Sequence, residues 1–469
     1  MKFGVMISVL CFWVISFSGV MEAQELNGTW VGNLEIQGQE LPLVFNFSTS
    51  EGKITGTVES PKQGARGIKI TKAELIKSDI SVEIKSIMAS YKGKVNFDEN
   101  VIKGTFSQGG MKLPLILKKT DKKFELKRPQ MPKAPFNYGA EEVSIVNLED
   151  AEVVLAGTLT LPKGKGPFPV AVLVSGSGGQ DRDETLLGHK PFWVIADHLT
   201  KNGIAVLRCD DRGIAKSKGS FATATTLDFV KDAISAVEFL KKDSRFSEIG
   251  IVGHSEGGLV APIAAAQNEN IDFIVMLAGP GISGGEIIVR QVELMAIAEG
   301  MSKEKAAELK EQQQEIIDIV TSMLPKNDKK EKLTAILKTR TKFDTLDETK
   351  QKKTEQIISM QIRQLLSPWY RLFTEIDPYD TITEVECPVL AINGANDTQV
   401  PADINLQKIE EALIEGGNDK YKIVKLEGLN HLFQHCETGA SSRYGEIEET
   451  FAPEALELIT NWIKENTGK

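Results

Sequence analysis

The residues best placed by type and spacing to do chemistry together are Ser255, Asp397 and His431. Ser255 is the centre of Gly253-His254-Ser255-Glu256-Gly257, a G-x-S-x-G pentapeptide. A serine hydroxyl is a poor nucleophile until a base takes its proton. An imidazole can be that base, and a carboxylate can fix its tautomer and stabilise the imidazolium that forms. The chemistry such a set supports is acyl transfer through a serine ester, and it requires neither metal nor cofactor.

The flanking sequence supplies the elements that must position these groups. Glu248 to Val252 reads as a short apolar strand, and Gly258 to Ala266 as a helix of small residues. A strand, a sharp turn and a helix place the serine Oγ above a sheet. Glycines on either side let strand and helix approach closely. Val389 to Asn393 is a second apolar strand, with Asp397 in the loop just past it. Tyr421 to Leu426 is a third, followed by His431. The order serine, acid, histidine, each at the carboxyl edge of a strand, is the one an α/β-hydrolase requires. His254 is expected to pack beside the turn rather than act as base, because a histidine directly beside the serine points the wrong way. The amide of the residue after the nucleophile, Glu256, is the first expected oxyanion donor.

With these motifs in place, the chain resembles the α/β-hydrolases, and more narrowly bacterial secreted or periplasmic serine esterases that carry a small β-rich domain in front. The resemblance rests on Ser175-Gly176-Ser177-Gly178-Gly179-Gln180-Asp181-Arg182-Asp183-Glu184, Asp211-Arg212-Gly213, the serine pentapeptide, Gly394 to Pro401 and Leu429 to Gln434. It covers roughly residues 140–469. It departs from the pattern in two places. Ser175-Gly176 stands where many relatives carry His-Gly, and Ala215 replaces a glycine in the run Asp210 to Ser217. The resemblance implies that the second oxyanion donor is the Ser177 amide.

Composition is ordinary for a soluble globular protein. Of 469 residues, 41% are hydrophobic and 26% charged, with a formal net charge of −10 and no basic stripe. Nucleic acid is therefore not an expected partner; the serine chemistry instead makes a small-molecule ester the expected one. Residues 1–23 read as a signal peptide, with Lys2 before an apolar run and a small residue, Ala23, at the end. The expectation is a secreted or periplasmic protein with no stable membrane anchor after cleavage. Without Cys11 three cysteines remain, so at least one thiol is free or bonded between molecules. The five histidines are too scattered for a zinc motif.

Along the chain, residues 24–122 show short strands broken by turn signals, including one from Ile68 to Leu75, and predict a small antiparallel barrel or sandwich. Such a domain could bind or gate substrate, or simply pack. Residues 123–138 hold three closely spaced prolines and read as a linker. Residues 139–469 alternate strand and helix, which predicts a mostly parallel sheet covered on both faces. From about 282 to 377 the strands stop and polar helical sequence takes over, which reads as a cap inserted before the acid-bearing strand. Within it, Lys326 to Lys332 reads as a solvated face or loop. Ser367 to Phe373 reads either as pocket lining or as cap-to-core packing.

Two functional alternatives accompany the esterase. One is a serine peptidase or amidase on the same fold, since the triad alone does not separate the two. The other is a non-catalytic binding protein that works through the β-domain. The Asp181-Arg182-Asp183-Glu184 cluster likewise has two readings. Arg182 could orient substrate, or the cluster could ion-pair with Asp210, Asp211 or Arg212 to hold loops together.

Overall fold

The computed structural model describes residues 26–36, 39–50, 52–121 and 126–468. The expected signal peptide, residues 1–23, lies outside the described residues. The chain forms two compact units, the second made of Lys62–Gly64 and the chain from Leu126 onward.

The first unit is a single sheet of nine strands: β1 (Gly28–Ile36), β2 (Gln39–Ser50), β3 (Lys53–Ser60), β4 (Ala65–Lys69), β5 (Lys72–Ile76), β6 (Asp79–Ile84), β7 (Ala89–Asn96), β8 (Val101–Gln108) and β9 (Met111–Thr120). Their order is β4-β3-β2-β1-β9-β8-β7-β6-β5. The two edge strands, β4 and β5, are separated in the chain only by Ile70 and Thr71. The sheet must therefore curl until its edges meet. At the seam the Ile70 amide donates to Gly56 O of β3 at 2.9 Å, and the Thr71 amide to Glu83 O of β6 at 2.8 Å. The single strand expected from Ile68 to Leu75 is thus two strands on opposite edges. The crossing carries no Gly, Pro or Asn, so nothing in the sequence marks it. Trp30, Phe45, Tyr91, Ile102 and Leu117 fill the interior. A curled sheet, not a sandwich of two, is what forms.

The second unit carries β10 (Gly139–Val146), β11 (Val154–Leu161), β12 (Phe168–Val174), β13 (Ala205–Cys209), β14 (Phe246–His254), β15 (Phe273–Leu277), β16 (Val389–Gly394) and β17 (Tyr421–Leu426). The order is β10-β11-β13-β12-β14-β15-β16-β17. The pairings of β10 with β11 and β11 with β13 are antiparallel, and the rest are parallel. All five residues of β15 are buried, which explains why the central strands read as continuous apolar runs. One face is covered by α1 (Pro191–Lys201), through Phe192 and Ile195. The other is covered by α2 (Thr226–Lys241) and α3 (Glu256–Gln267), through Val237, Leu240 and Val260.

The cap lies between β15 and β16. It comprises α4 (Gly284–Ala298), α5 (Lys303–Thr321), α6 (Lys326–Arg340), α7 (Glu348–Leu365) and α8 (Pro368–Glu375). Four of these begin on a polar cap: the side chains of Ser283, Ser302, Asp347 and Ser367 each accept from the amide three residues on. Val320, Leu333, Ile358 and Ile362 form the cap's own core. The Lys326–Lys332 run is the first half of α6, and it is not wholly solvated. Lys329 is buried, and its Nζ donates to Val320 O at 2.6 Å. That bond satisfies a carbonyl near the end of α5, where no helical donor follows.

The proline-rich segment also differs from the expected linker. Arg128 donates to Leu187 O and Gly445 O, both at 2.9 Å, and to Ile447 O at 3.1 Å. Gln130 brackets the backbone of Thr450 and Phe451, with bonds of 2.6 to 3.0 Å. The segment from Leu126 therefore belongs to the second unit. The three prolines predispose it to an extended path, and the two long polar side chains on either side of Pro129 tie that path down.

Candidate active site

Ser255 joins β14 to α3 with φ 53° and ψ −115°. A positive φ on a non-glycine residue is a strained corner, and it persists only when the surroundings enforce it. Here close packing of backbone does so. A Cβ at Gly253 would lie 1.9 Å from Gly257 O, one at Gly257 would lie 2.1 Å from Val174 O, and one at Gly258 would lie 2.6 Å from the Gly279 Cα. The pentapeptide glycines are thus required by contact between β14, α3 and the strand beside them. The Ser255 amide is held by Leu277 O at 2.8 Å.

Asp397 lies three residues past β16, is 5% exposed, and uses both carboxylate oxygens. Oδ1 accepts from the amides of Gln399 and Val400 at 2.7 and 2.9 Å, and Oδ2 faces His431 Nδ1 at 2.7 Å. An ionised carboxylate only accepts, so Nδ1 donates and Nε2 is left with a lone pair. Among the described residues no protein group bonds to that Nε2. Asp397 and His431 are therefore brought together, on the loops of the two strands next to β15 and β16. Ser255 stands one residue from His254, whose ring centroid is 4.9 Å from that of His431.

The loop after β12 lies against the serine: a Cβ at Gly176 would come 3.1 Å from the Ser255 Cβ. Two carboxylates hold this loop. Asp211 accepts from Ser175 Oγ at 2.9 Å and from the Gln180 amide at 2.8 Å. Burial pushes its carboxyl up to about 7. Glu184 Oε1 accepts from the Gly176 amide at 2.9 Å. The amides of Ser177 and Glu256 bond to no protein acceptor among the described residues. For Glu256 this is the ordinary state of a first-turn helix N–H.

The Glu256 side chain has a place that the sequence did not suggest. It is buried, and Oε1 accepts from Thr226 Oγ1 at 2.7 Å and from Trp369 Nε1 at 2.8 Å. Oε2 is buried without a partner, and burial raises the carboxyl's pKa. Trp369 belongs to α8 and stacks on Phe373 at 5.4 Å. Ser367 to Phe373 is thus cap-to-core packing that also reaches the residue after Ser255.

In the acidic cluster the loop-holding arrangement is the one found. Arg182 pairs with Asp210 at 2.8 Å and with Glu142 at 3.0 Å, and Asp183 pairs with Arg208 and with Lys190. Glu184, at φ 51°, turns inward instead. Its Oε1 meets His254 Nδ1 at 2.9 Å, and His254 Nε2 meets His431 O at 3.0 Å. Ala215 sits at φ 46°, which explains why a glycine is the usual residue in that run. Cys209, Cys387 and Cys436 are free, and burial pushes the first two thiols up to about 12.

A family model described as serine aminopeptidase, S33, matches residues 192–431, half of the chain. The chain belongs to this family of α/β-hydrolases. The match takes in Ser255, Asp397 and His431 and begins after the Ser175–Glu184 loop. Among curated relatives, the chain is 36% identical over 141 residues to esterase EstD of Thermotoga maritima, covering 30% of this chain and 34% of that protein. It is 32% identical over 131 residues to protein phosphatase methylesterase 1 of Gibberella zeae, covering 26% and 30%. The chain therefore matches about a third of the length of either relative. Among solved structures, a Pyrococcus furiosus esterase is similar at 16% identity and a TM-score of 0.43, covering 74% of this chain and all of the other. Est1E of Butyrivibrio proteoclasticus with ferulic acid bound is similar at 20% identity and a TM-score of 0.39, covering 69% and 96%.

Proposed function

We propose that this α/β-hydrolase is a serine esterase that acts on carboxylic esters of short acyl chain. The observation that carries the reading is the buried Asp397–His431 pair at 2.7 Å beside a serine held at positive φ. Ser255 Oγ attacks the ester carbonyl while His431 Nε2 takes its proton. The negative charge that develops on the carbonyl oxygen is met by the Glu256 and Ser177 amides, which bond to no protein acceptor among the described residues. His431 then gives its proton to the departing alcohol, leaving an acyl-serine. A water activated by the same imidazole adds to that ester and releases the acid. Trp369, reaching from the cap to Glu256, supports a confined acyl site and hence short chains.

Cleavage of aminoacyl amides is the second reading, favoured by the description of the family. An exopeptidase needs an anionic group for the substrate's terminal amine. Glu256 is the nearest carboxyl in sequence to the nucleophile, but burial keeps it toward its neutral form, a poor ammonium partner. Both readings are tested by assaying wild type and Ser255→Ala on p-nitrophenyl acetate, butyrate and longer esters, and on aminoacyl anilides. We expect ester turnover that declines beyond roughly six acyl carbons, slow anilide cleavage, and a loss of order 10⁴-fold or more in the variant. A fluorophosphonate should label Ser255 alone. Anilides cleaved with higher kcat/KM than acetate and butyrate would replace the esterase reading with the peptidase one.

A further inference from the structure

Beside the pair Asp397–His431 lies a second buried histidine–carboxylate pair, Glu184–His254, that the hydrolytic scheme does not use. Glu184 Oε1 receives two donors at once, the Gly176 amide and His254 Nδ1, each at 2.9 Å. His254 Nε2 points the other way, to the backbone carbonyl of His431 at 3.0 Å. With Glu184 as a carboxylate, both ring nitrogens of His254 face acceptors, an arrangement that favours the imidazolium. The group is 6% exposed and its partner 5%. Burial works against the charge, but the Glu184 carboxylate outweighs it and the pKa of His254 is raised. Asp397 adds a smaller favourable field.

The three elements joined are the ones acyl transfer must keep in register. Gly176 precedes the free Ser177 amide, His254 precedes Ser255, and the carbonyl belongs to His431 itself. Because Glu184 occupies the Gly176 N–H, it fixes which way the next peptide faces. We propose that Glu184 and His254 are positioning residues: a buried ion pair that clamps the oxyanion loop to the nucleophile turn and to the loop of the base. The proposal rests on the acyl-transfer reading, and its test separates the two.

The test compares an oxygen ester with the matching thionoester, whose carbonyl sulfur takes much weaker hydrogen bonds from an oxyanion hole. Full-length wild type, Glu184→Ala, Glu184→Gln and His254→Gln are assayed on both. Misplacing the Ser177 amide should cost Glu184→Ala roughly 10²-fold in kcat on the oxygen ester, with little change in KM. Its thionoester rate should fall far less, so the oxygen-to-sulfur rate ratio drops about tenfold or more. Glu184→Gln still offers an acceptor to Gly176, so it should recover part of kcat while its ratio remains below wild type. His254→Gln should lower the ratio as well, and a Glu184→Gln/His254→Gln double variant should lose less than the product of the single losses. A ratio that stays at the wild-type value in Glu184→Gln and His254→Gln overturns the clamp, whether or not Glu184→Ala folds. Fluorophosphonate labelling of wild type is read first. If Ser255 is not the labelled residue, the acyl-transfer reading fails and takes the clamp with it; if it is labelled and the ratio is unmoved, only the clamp fails.

Discussion

Two histidine–carboxylate pairs flank Ser255, at 2.7 Å for Asp397–His431 and 2.9 Å for Glu184–His254, and both are buried. What distinguishes them is the far ring nitrogen. In His254 it is committed to the carbonyl of His431, which leaves no free lone pair there to take a proton from the serine. In His431 it bonds to no protein group among the described residues, and the carboxylate behind it fixes the tautomer that leaves a lone pair forward. A histidine and a carboxylate thus yield a proton acceptor in one place and a structural pair in the other. The surroundings of one nitrogen decide which.

The sharpest way to break this contrast is to disable the acceptor pair. Asp397→Asn should lower kcat by about 10⁴-fold on short esters, because an asparagine amide facing Nδ1 favours the wrong tautomer. The loss should exceed that of either clamp variant by about two orders of magnitude. Stopped-flow or steady-state assays on p-nitrophenyl butyrate measure it. Near-full activity in Asp397→Asn would mean that another carboxylate serves His431 instead, Asp403 in the first turn of the helix after that loop being the next in sequence.

A third buried histidine sharpens the comparison through pH. His189 Nδ1 meets Thr450 Oγ1 at 2.9 Å and Nε2 meets Tyr444 O at 3.2 Å. Gln434 Nε2 lies 3.1 Å from Nε2 and can donate to it, and the Thr450 hydroxyl can accept from Nδ1, so a neutral ring satisfies these contacts. Burial and the nearby Arg128 push its pKa down to about 4. Between that value and the ordinary 6.5 the unfolded chain binds the proton and the folded chain does not. His189 therefore stabilises the fold above pH ~6.5 and loses that contribution as pH falls toward 4. His254, with its pKa raised, has the opposite sign. Its contribution is complete below the unfolded value and is lost as pH rises through the folded one. Melting temperatures of wild type, His189→Gln and His254→Gln across pH 5 to 9 check this. The deficit of His189→Gln should shrink toward acid pH, and that of His254→Gln toward alkaline pH. Parallel profiles for all three proteins would contradict both assignments.

These contrasts also mark how far the sequence could be read. The places of Ser255, Asp397 and His431 in the fold were legible because each sits in a local pattern: an apolar strand, then a polar residue at or past its carboxyl end. The parallel sheet and the cap were legible for the same reason, since continuous apolar runs and their absence are properties of a window. Glu184–His254 was not, because the partners are 70 residues apart and nothing local says that Glu184, alone of its cluster, turns inward. Glu256 was noticed for its backbone, but its link to Trp369 spans 113 residues. The split of Ile68 to Leu75 into β4 and β5 was hidden because closure of a curled sheet, not a turn residue, places the break. The segment from Leu126 looked like a linker because proline content reports local stiffness, whereas Arg128 and Gln130 bind backbone more than 300 residues away.

The smallest expected effect comes from the loop that runs from the Asp211 brace toward Ser217. Ala215 holds φ 46°, in the left-handed region where a Cβ crowds the following carbonyl. For an L residue other than glycine that conformation costs about 1–2 kcal/mol. Replacing it with glycine removes the strain but adds freedom to the unfolded chain, an opposing term of roughly 0.4–1 kcal/mol. The strain term is the larger, so Ala215→Gly should stabilise the second unit by about 0.5–1 kcal/mol. Its nearest anchors are the Lys216 amide on Asp210 at 3.2 Å and Ser217 Oγ on Asp210 O at 2.7 Å, and neither depends on the Ala215 side chain. Turnover should therefore stay within twofold of wild type while the urea midpoint rises slightly at unchanged m-value. A lowered midpoint would mean that the loop's own bonds leave no strain at Ala215 to release.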